Sequence, residues 1–265
     1  MTTIHKARRL PRDPGPAAWN SILPDVPAYE KLEDNITCDW LIIGAGYAGL
    51  SAAKRLRELR GGDDIVVIDA TRVAHGPAGR NSGFMIDLPH DLSSDQYTSS
   101  IDRDLTQIRL NRQAIEFAKN IAQEYDLAEE AVDASGRING AADDNGLKHN
   151  RKYAQHLSQL GEAFEEYDAK QMRMVTGSDF YATGLYMPGT VLLQPALYIR
   201  GLADGLTNRL KHKTAKSPIT IYENTPALMM VKEGSGWQVK TPQGTISTPK
   251  NHHGGERPCG KFWVL

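Results

Sequence analysis

Three glycines and one carboxylate are the residues of this sequence whose spacing most directly predicts chemistry. Gly44, Gly46 and Gly49 follow one apolar run, and Asp69 ends a second, twenty residues after Gly49. In a G-x-G-x-x-G turn, the first glycine permits a tight bend, the second admits a pyrophosphate to the backbone, and the third lets the following helix pack closely. The acid would accept hydrogen bonds from ribose hydroxyls. The pattern predicts a dinucleotide site, and an ordinary strand-helix-strand unit without a ligand is the alternative.

The elements around this turn must position the glycines and the acid. The apolar runs 40–43 and 64–69 are typical of buried parallel strands, and the segment between them has a helical apolar face that stops at Gly61. The amides of the first helical turn would face the diphosphate. The predicted cofactor site therefore also includes Tyr47, Ala48 and Ala70.

A polar, glycine-rich loop at 71–84 follows Asp69, where a nicotinamide dehydrogenase would usually begin its next helix. Closely spaced glycines in this loop would let backbone approach a second part of the ligand. Arg80 and Asn81 would offer donors to phosphate or ring carbonyl oxygens. The loop favours a flavin over a nicotinamide.

These motifs resemble those of the FAD-dependent amine and D-amino-acid oxidoreductases, a likeness that covers about 36–250. Members have a similar Cys-Asp strand, an equivalent Gly-x-Gly-Tyr-x-Gly-Leu turn and a loop resembling Gly-Ala-Ser-Gly-Arg-Asn-Gly-Gly. The resemblance implies FAD as cofactor, with the pyrophosphate held at the glycine turn, the ribose at Asp69, and the adenine near the backbone of Ala227. It also implies a path from diphosphate to flavin lined by Ala78, Gly79, Arg80, Asn81, Ser82 and Gly83. Ser82 departs from the glycine that is usual in this family.

The predicted fold class is α/β, with a Rossmann-like FAD-binding parallel sheet, an antiparallel β-meander and an interleaved, incomplete substrate domain. The expected organisation is an irregular N-terminal arm at 1–37, an FAD-binding domain at 38–90 and 195–250, the helical and strand part of a substrate domain at 91–194, and an aberrant tail at 251–265. Helices are predicted at 94–126, 147–164, 169–175 and 195–206, a third parallel strand at 219–223, and the meander at 227–231, 237–241 and 245–248.

Composition limits the classes of protein that this chain can represent. The 265 residues are 40% hydrophobic and 24% charged, with a net charge of −1, so neither nucleic acid nor a membrane surface is an expected partner. No apolar run approaches the ~18 residues of a membrane-spanning helix. Arg8 and Arg9 lack the apolar stretch of an export signal, so the expected location is cytoplasmic.

Other candidate groups give weaker signals. A metal site is not expected, because the spacing of His212, His252, His253 and Cys259 fits no zinc motif. His75 could approach the flavin ring, but a solvent-facing loop histidine is favoured. Cys38 is interpreted as a small buried hydrophobe rather than a point of flavin attachment. No residue can be named as a catalytic acid or base.

The tail after Lys250 departs from the family pattern, which continues with an apolar strand. Codons permitted by Asn251 onward, read one base out of register, encode IIMAVNGHAESFGF, which resembles that continuation. We therefore hypothesise that the last fifteen residues arise from a frameshift, and a genuine divergent tail is the alternative. Gene codons that forbid the shifted translation would exclude the frameshift.

Three functions remain open from the sequence. The family resemblance implies oxidation of the C–N bond of an amine or amino acid, with oxygen or another acceptor reoxidising the flavin. A catalytically inactive, truncated fragment of such an enzyme is the second. A dinucleotide-binding module without turnover is the third.

Overall fold

The computed structural model describes residues 3–13, 15–89, 101–209 and 218–248, together with the backbone of 262–264. In chain order the α-helices are α1 (Ala18–Ser21), α2 (Tyr47–Leu59), α3 (Ile101–Glu124), α4 (Asp144–Leu160), α5 (Ala169–Thr176) and α6 (Pro195–Leu206). Single 3-10 turns lie at Pro77–Gly79 and Glu129–Ala131.

The strands are short and fall into four sheets. They are β1 (Ile4–Lys6), β2 (Ile36–Thr37), β3 (Trp40–Ile43), β4 (Ile65–Ile68), β5 (Phe84–Met85), β6 (Val132–Asp133), β7 (Arg137–Ala141), β8 (Glu165–Tyr167), β9 (Thr183–Met187), β10 (Val191–Leu193), β11 (Thr220–Tyr222), β12 (Met229–Glu233), β13 (Gly236–Lys240), β14 (Thr245–Thr248) and β15 (Phe262–Val264). The predicted α/β class is confirmed.

The chain forms two compact units. One comprises 1–82, 125–127 and 194–265, and the other 83–124 and 128–193. The domain bounds drawn from the sequence stay a proposal.

The first unit contains a parallel sheet in the order β11-β4-β3-β15. Strand β4 lies between β3 and β11, with Ile43 opposite Ile68 and Tyr222 opposite Ile68 on the other side. The third parallel strand is therefore confirmed. The described part of the predicted tail is β15, which pairs with β3 in parallel, whereas 249–261 lie outside the described residues.

An antiparallel meander packs against one face of this sheet. The sheet order is β1-β12-β13-β14-β2, so the predicted three antiparallel strands gain one neighbour on each side, both from the N-terminal segment. Strand β1 pairs antiparallel with β12, whereas β2 pairs parallel with β14. The core between the two sheets consists of Leu32, Cys38, Leu41, Val66, Ile68, Val239 and Ile246. Alternate residues such as Ile42 face the other way, where α2 packs on β3 and β4.

The second unit contains the antiparallel sheet β7-β9-β8, with α4 packed on β7 and β9 and α3 packed on α4. Its core includes Ile108, Tyr153, Leu157, Leu185 and Met187. A smaller sheet has the order β5-β10-β6. Strands β6, β7 and β8 were not predicted from the sequence.

Helix α4 differs from the prediction at both ends for local reasons. Helix α4 begins at an Asp143 cap, whose carboxylate accepts from the amide of Gly146, and it ends at Leu160 because Gly161 adopts a left-handed φ of 73°. Residues 162–164 are thus not helical, contrary to the predicted end at Phe164. Helix α3 ends at Glu124, and of its predicted start, 94–100 lie outside the described residues.

Candidate cofactor site

The glycine turn joins β3 to α2, and at two of its positions the geometry permits only glycine. Gly44 has a φ of 107°, and its amide donates to the carbonyl of Ile68 on the neighbouring strand. A Cβ added to Gly49 would overlap the carbonyl oxygen of Gly44. The first and third glycines therefore set the bend and the close approach of helix to strand.

Gly46 differs from its neighbours because the space beside it is open. Its backbone is extended, and an added Cβ would meet only the Cβ of Ala78, at 3.6 Å. Helix α2 begins at the next residue, Tyr47, and no described side chain caps its first turn, which contains no acid. The first amides of a helix lack intrahelical partners and carry the positive end of its dipole. This start of α2, including Ala48, fits an anionic group such as a pyrophosphate.

Asp69 lies at the end of β4, beside the turn. Its Oδ2 accepts from the amide of Ala45 at 2.8 Å, and its Oδ1 accepts from the amide of Thr71 at 2.8 Å. The backbone carbonyl of Asp69 accepts from the amide of Thr225 at 2.7 Å. The carboxylate is thus fixed in place. Because Oδ1 also accepts from the hydroxyl of Thr71 at 3.1 Å, Oδ2 is the oxygen that keeps a further lone pair for a ligand hydroxyl. Its role toward ribose, and that of Ala70, stay predictions.

Residues 74–82, which we name the site loop, are closely packed on themselves. A Cβ at Gly79 would overlap the carbonyl oxygen of Ala74, itself a non-glycine residue with a φ of 65°. Asn81 donates from Nδ2 to the carbonyl of Ala78 at 2.8 Å and to the hydroxyl of Tyr47 at 3.3 Å. The loop therefore lies beside the start of α2.

Arg80 makes contacts that the sequence did not predict. Its Nε donates to the carbonyl of His75 at 2.7 Å, and its guanidinium donates to the carbonyl of Gly15. Asp13 lies 3.8 Å from the same guanidinium and 3.3 Å from Nδ1 of His75. The His75 side chain is 15% exposed, so it is partly buried beside Asp13 and not fully solvent-facing as predicted.

The remaining predicted residues lie further along the chain. Ser82 is exposed at the end of the site loop, and Gly83, with a φ of 82°, belongs to the second unit, where a Cβ would overlap the carbonyl of Leu193. Ala227 is partly buried and packs against the core between the two sheets. The turn, Asp69 and the site loop through Ser82 come together in one unit, and the roles of Ser82, Gly83 and Ala227 stay predictions.

Glu223 connects the chain after Asp69 to the N-terminal segment. Its side chain is buried and accepts from the amide of Val73 at 2.6 Å and from the amide of Tyr29 at 2.9 Å. Burial raises the pKa of this carboxyl, and the two amide donors act in the opposite direction. A buried acid without a predicted role thus fixes the segment that leads into the site loop.

Cys38 is 2% exposed in the core of the first unit. Burial, followed by the nearby Asp64 and Asp39, raises the pKa of its thiol to about 12. The thiol is therefore neutral and shielded at ordinary pH, which agrees with the interpretation as a small buried hydrophobe.

We expect Cys38 in a Cys259→Ser variant to resist a thiol reagent at pH 8 in the native state. The same thiol should react rapidly once the chain is unfolded in urea, because unfolding restores both access and an ordinary thiol pKa. With a disulfide reagent that releases a chromophore when it reacts with a thiol, the absorbance measures both rates. Native labelling as fast as that of the unfolded chain would contradict the burial of Cys38.

Within the part of the chain that the structure describes, no cluster of His, Cys, Asp or Glu could hold a metal. The histidines and cysteine considered from the sequence, His212, His252, His253 and Cys259, lie outside that part. None of the described helices is long and apolar enough to cross a bilayer.

Four residues beside the site were missed from the sequence: Asp13, Gly15, Trp19 and Asn20. They lie in a proline-rich segment without hydrophobic periodicity, and their contacts with the site loop are 54 to 67 residues away along the chain. The sequence signal available for these contacts was a lone tryptophan beside an asparagine in a polar segment. Such a pair does not indicate which residues it contacts in the fold.

A parallel sheet with this glycine turn, an uncapped helix start and a fixed acid is typical of a dinucleotide-binding protein. The family model for DAO, FAD dependent oxidoreductase, matches residues 39–251. The chain belongs to this family of FAD-dependent oxidoreductases, so the family resemblance and the cofactor class inferred from the sequence are confirmed.

Relatives and solved structures agree with this assignment. The chain is 26% identical over 248 residues to the probable oxidoreductase OrdL of Rhizobium meliloti, covering 91% of this chain and 54% of the relative. It is 27% identical over 211 residues to gamma-glutamylputrescine oxidoreductase of Escherichia coli, covering 78% and 48%. The fold is similar to that of glycine oxidase from Geobacillus kaustophilus, with a TM-score of 0.60, 18% identity and coverage of 80% and 53%. The chain thus spans about half the length of the curated relatives it matches.

Proposed function

We propose that this chain binds FAD and carries the cofactor-binding part of an oxidoreductase that acts on the C–N bond of an amine or amino acid. The observation that carries the proposal is the uncapped start of α2 beside the open backbone of Gly46, a donor set that fits a pyrophosphate. Names of the relatives support the substrate class, since gamma-glutamylputrescine oxidoreductase and glycine oxidase are among them.

The residues of this chain would bind and orient the cofactor. Amides at the start of α2 would hold the pyrophosphate, Asp69 would accept from the ribose, and the site loop would border the path toward the flavin ring. The chemistry supplied by bound FAD is acceptance of a hydride from the carbon that bears the substrate nitrogen, which leaves an imine for hydrolysis. Oxygen or another electron acceptor is the proposed second partner, and the proposed location is cytoplasmic.

A catalytically inactive dinucleotide-binding fragment is the second candidate. The observation in its favour is that the chain covers 54% and 48% of the two relatives named above. The two candidates share the cofactor site and differ in turnover.

The visible spectrum of the purified chain tests the proposal. We expect flavin bands at one FAD per chain, and bleaching of these bands under anaerobic conditions when a primary amine or amino acid is added. Flavin bands without bleaching across a panel of such substrates would favour the inactive fragment. Binding of NAD without FAD would overturn the proposed function.

A further inference from the structure

The short helix α1 of the N-terminal segment contacts both ends of the site loop. Trp19 donates from its indole N–H to the carbonyl of Asn81 at 2.8 Å, and Asn20 donates from Nδ2 to the carbonyl of Ala74 at 2.8 Å. Asn20 is 6% exposed, so its side-chain amide is buried in the protein and not hydrated by solvent. Together the two side chains hold the first and the second-last residues of the loop.

The site loop needs such support because its conformation is strained at one end. Ala74 has a φ of 65°, which costs an alanine about 1 kcal/mol relative to ordinary backbone. A residue in this region persists only where neighbouring groups fix it. The hydrogen bond from Asn20 goes to the carbonyl of that same residue.

Helix α1 is itself fixed by a longer element. Gln194 accepts from the amide of Leu197 at 2.8 Å, which caps α6, and its Nε2 donates to the carbonyl of Trp19 at 3.1 Å. One glutamine side chain thus joins the start of α6 to α1. The loop is connected through Trp19 to a rigid helix of its own unit.

We propose that Trp19 and Asn20 are positioning residues for the flavin half of the cofactor, acting through the site loop. The inference rests on the proposed function, in which the glycine turn and Asp69 bind the ADP half. The side-chain hydrogen bonds of Trp19 and Asn20 go to the loop and not to that turn. Loss of these donors would therefore weaken the binding of FAD and leave the binding of ADP nearly unchanged.

Isothermal titration of the full chain with FAD and separately with ADP tests this inference. The variants are Trp19→Phe, which keeps an aromatic ring, Asn20→Leu, which keeps the size of the side chain, and their combination; each removes a donor. A matched control is Tyr29→Phe, because the Tyr29 hydroxyl donates to Asp204 at 2.6 Å and ties the same arm to α6 away from the loop. Thermal unfolding of every variant accompanies the titrations.

We expect the combined variant to lose roughly tenfold in FAD affinity, with ADP affinity within about twofold. Tyr29→Phe should lower thermal stability without changing the ratio of FAD to ADP affinity. Equal losses for both ligands, or no loss of FAD affinity in either single variant, would overturn the inference while leaving the proposed function intact. Failure of the unmodified chain to bind FAD would overturn both.

Discussion

Replacement of Gly49 by alanine is expected to destabilise the first unit by about 3 kcal/mol and to abolish FAD binding. A Cβ at this position would overlap the carbonyl oxygen of Gly44, which is backbone and has no rotamer by which to move away. Relief requires α2 to move off β3, and that movement also displaces the amides at the start of the helix. Urea unfolding followed by circular dichroism measures the stability, and flavin titration measures the binding.

Gly46→Ala is the matched control, because the same methyl group has room there. Its nearest neighbour would be the Cβ of Ala78 at 3.6 Å, and the φ of −91° suits alanine. We expect stability within about 1 kcal/mol of the unmodified chain. FAD affinity should nevertheless fall roughly 100-fold, since the methyl group would occupy the space that the pyrophosphate needs. Undiminished FAD affinity in Gly46→Ala would show that the pyrophosphate does not approach this turn.

Replacement of Asp104 by alanine is expected to destabilise the second unit about as much as Gly49→Ala destabilises the first. Asp104 on α3 lies 2.9 Å from Nε2 of His156 on α4, and both side chains are at least nine-tenths buried. Removal of the carboxylate takes away a charge-assisted hydrogen bond in a buried environment, so Asp104→Ala should cost about 3 kcal/mol.

Asp102→Ala provides the control for that experiment. Asp102 lies in the same first turn of α3 but is exposed, and its loss should cost less than about 1 kcal/mol through the helix dipole alone. Urea unfolding curves of the two variants give the comparison. Equal urea midpoints for the two variants would mean that the Asp104–His156 pair contributes no more to stability than the exposed Asp102 carboxylate does.

Much of the first unit could be predicted because its helices and strands are specified by residues that lie close together in the sequence. Helix α6 runs from Pro195 to Leu206 as predicted, since a proline at its first turn and a glutamine cap define its start. The meander strands lie within two residues of their predicted bounds, because glycine-containing turns separate short runs of alternating residues. These signals depend on neighbours along the chain, which a sequence displays directly.

The sheet of the second unit was not predictable by the same reasoning. Strand β8 has the sequence Glu-Glu-Tyr, and β7 contains a glycine at 140 and an arginine at 137. Neither shows the alternation or the β-branched residues of a typical strand. Both are strands because each pairs with β9 on one side, a contact that no local pattern encodes.

The sequence by itself determined the glycine turn, the acid after β4 and the class of ligand that they suit, because these features are requirements of backbone conformation and spacing within one strand-helix-strand unit. Only the tertiary structure decided which partners the charged side chains contact. Arg80 donates to Gly15, 65 residues away, and Asp104 pairs with His156, 52 residues away. An arginine or aspartate has many possible partners, and its partner is chosen by the packing of distant segments rather than by its own neighbours in the chain.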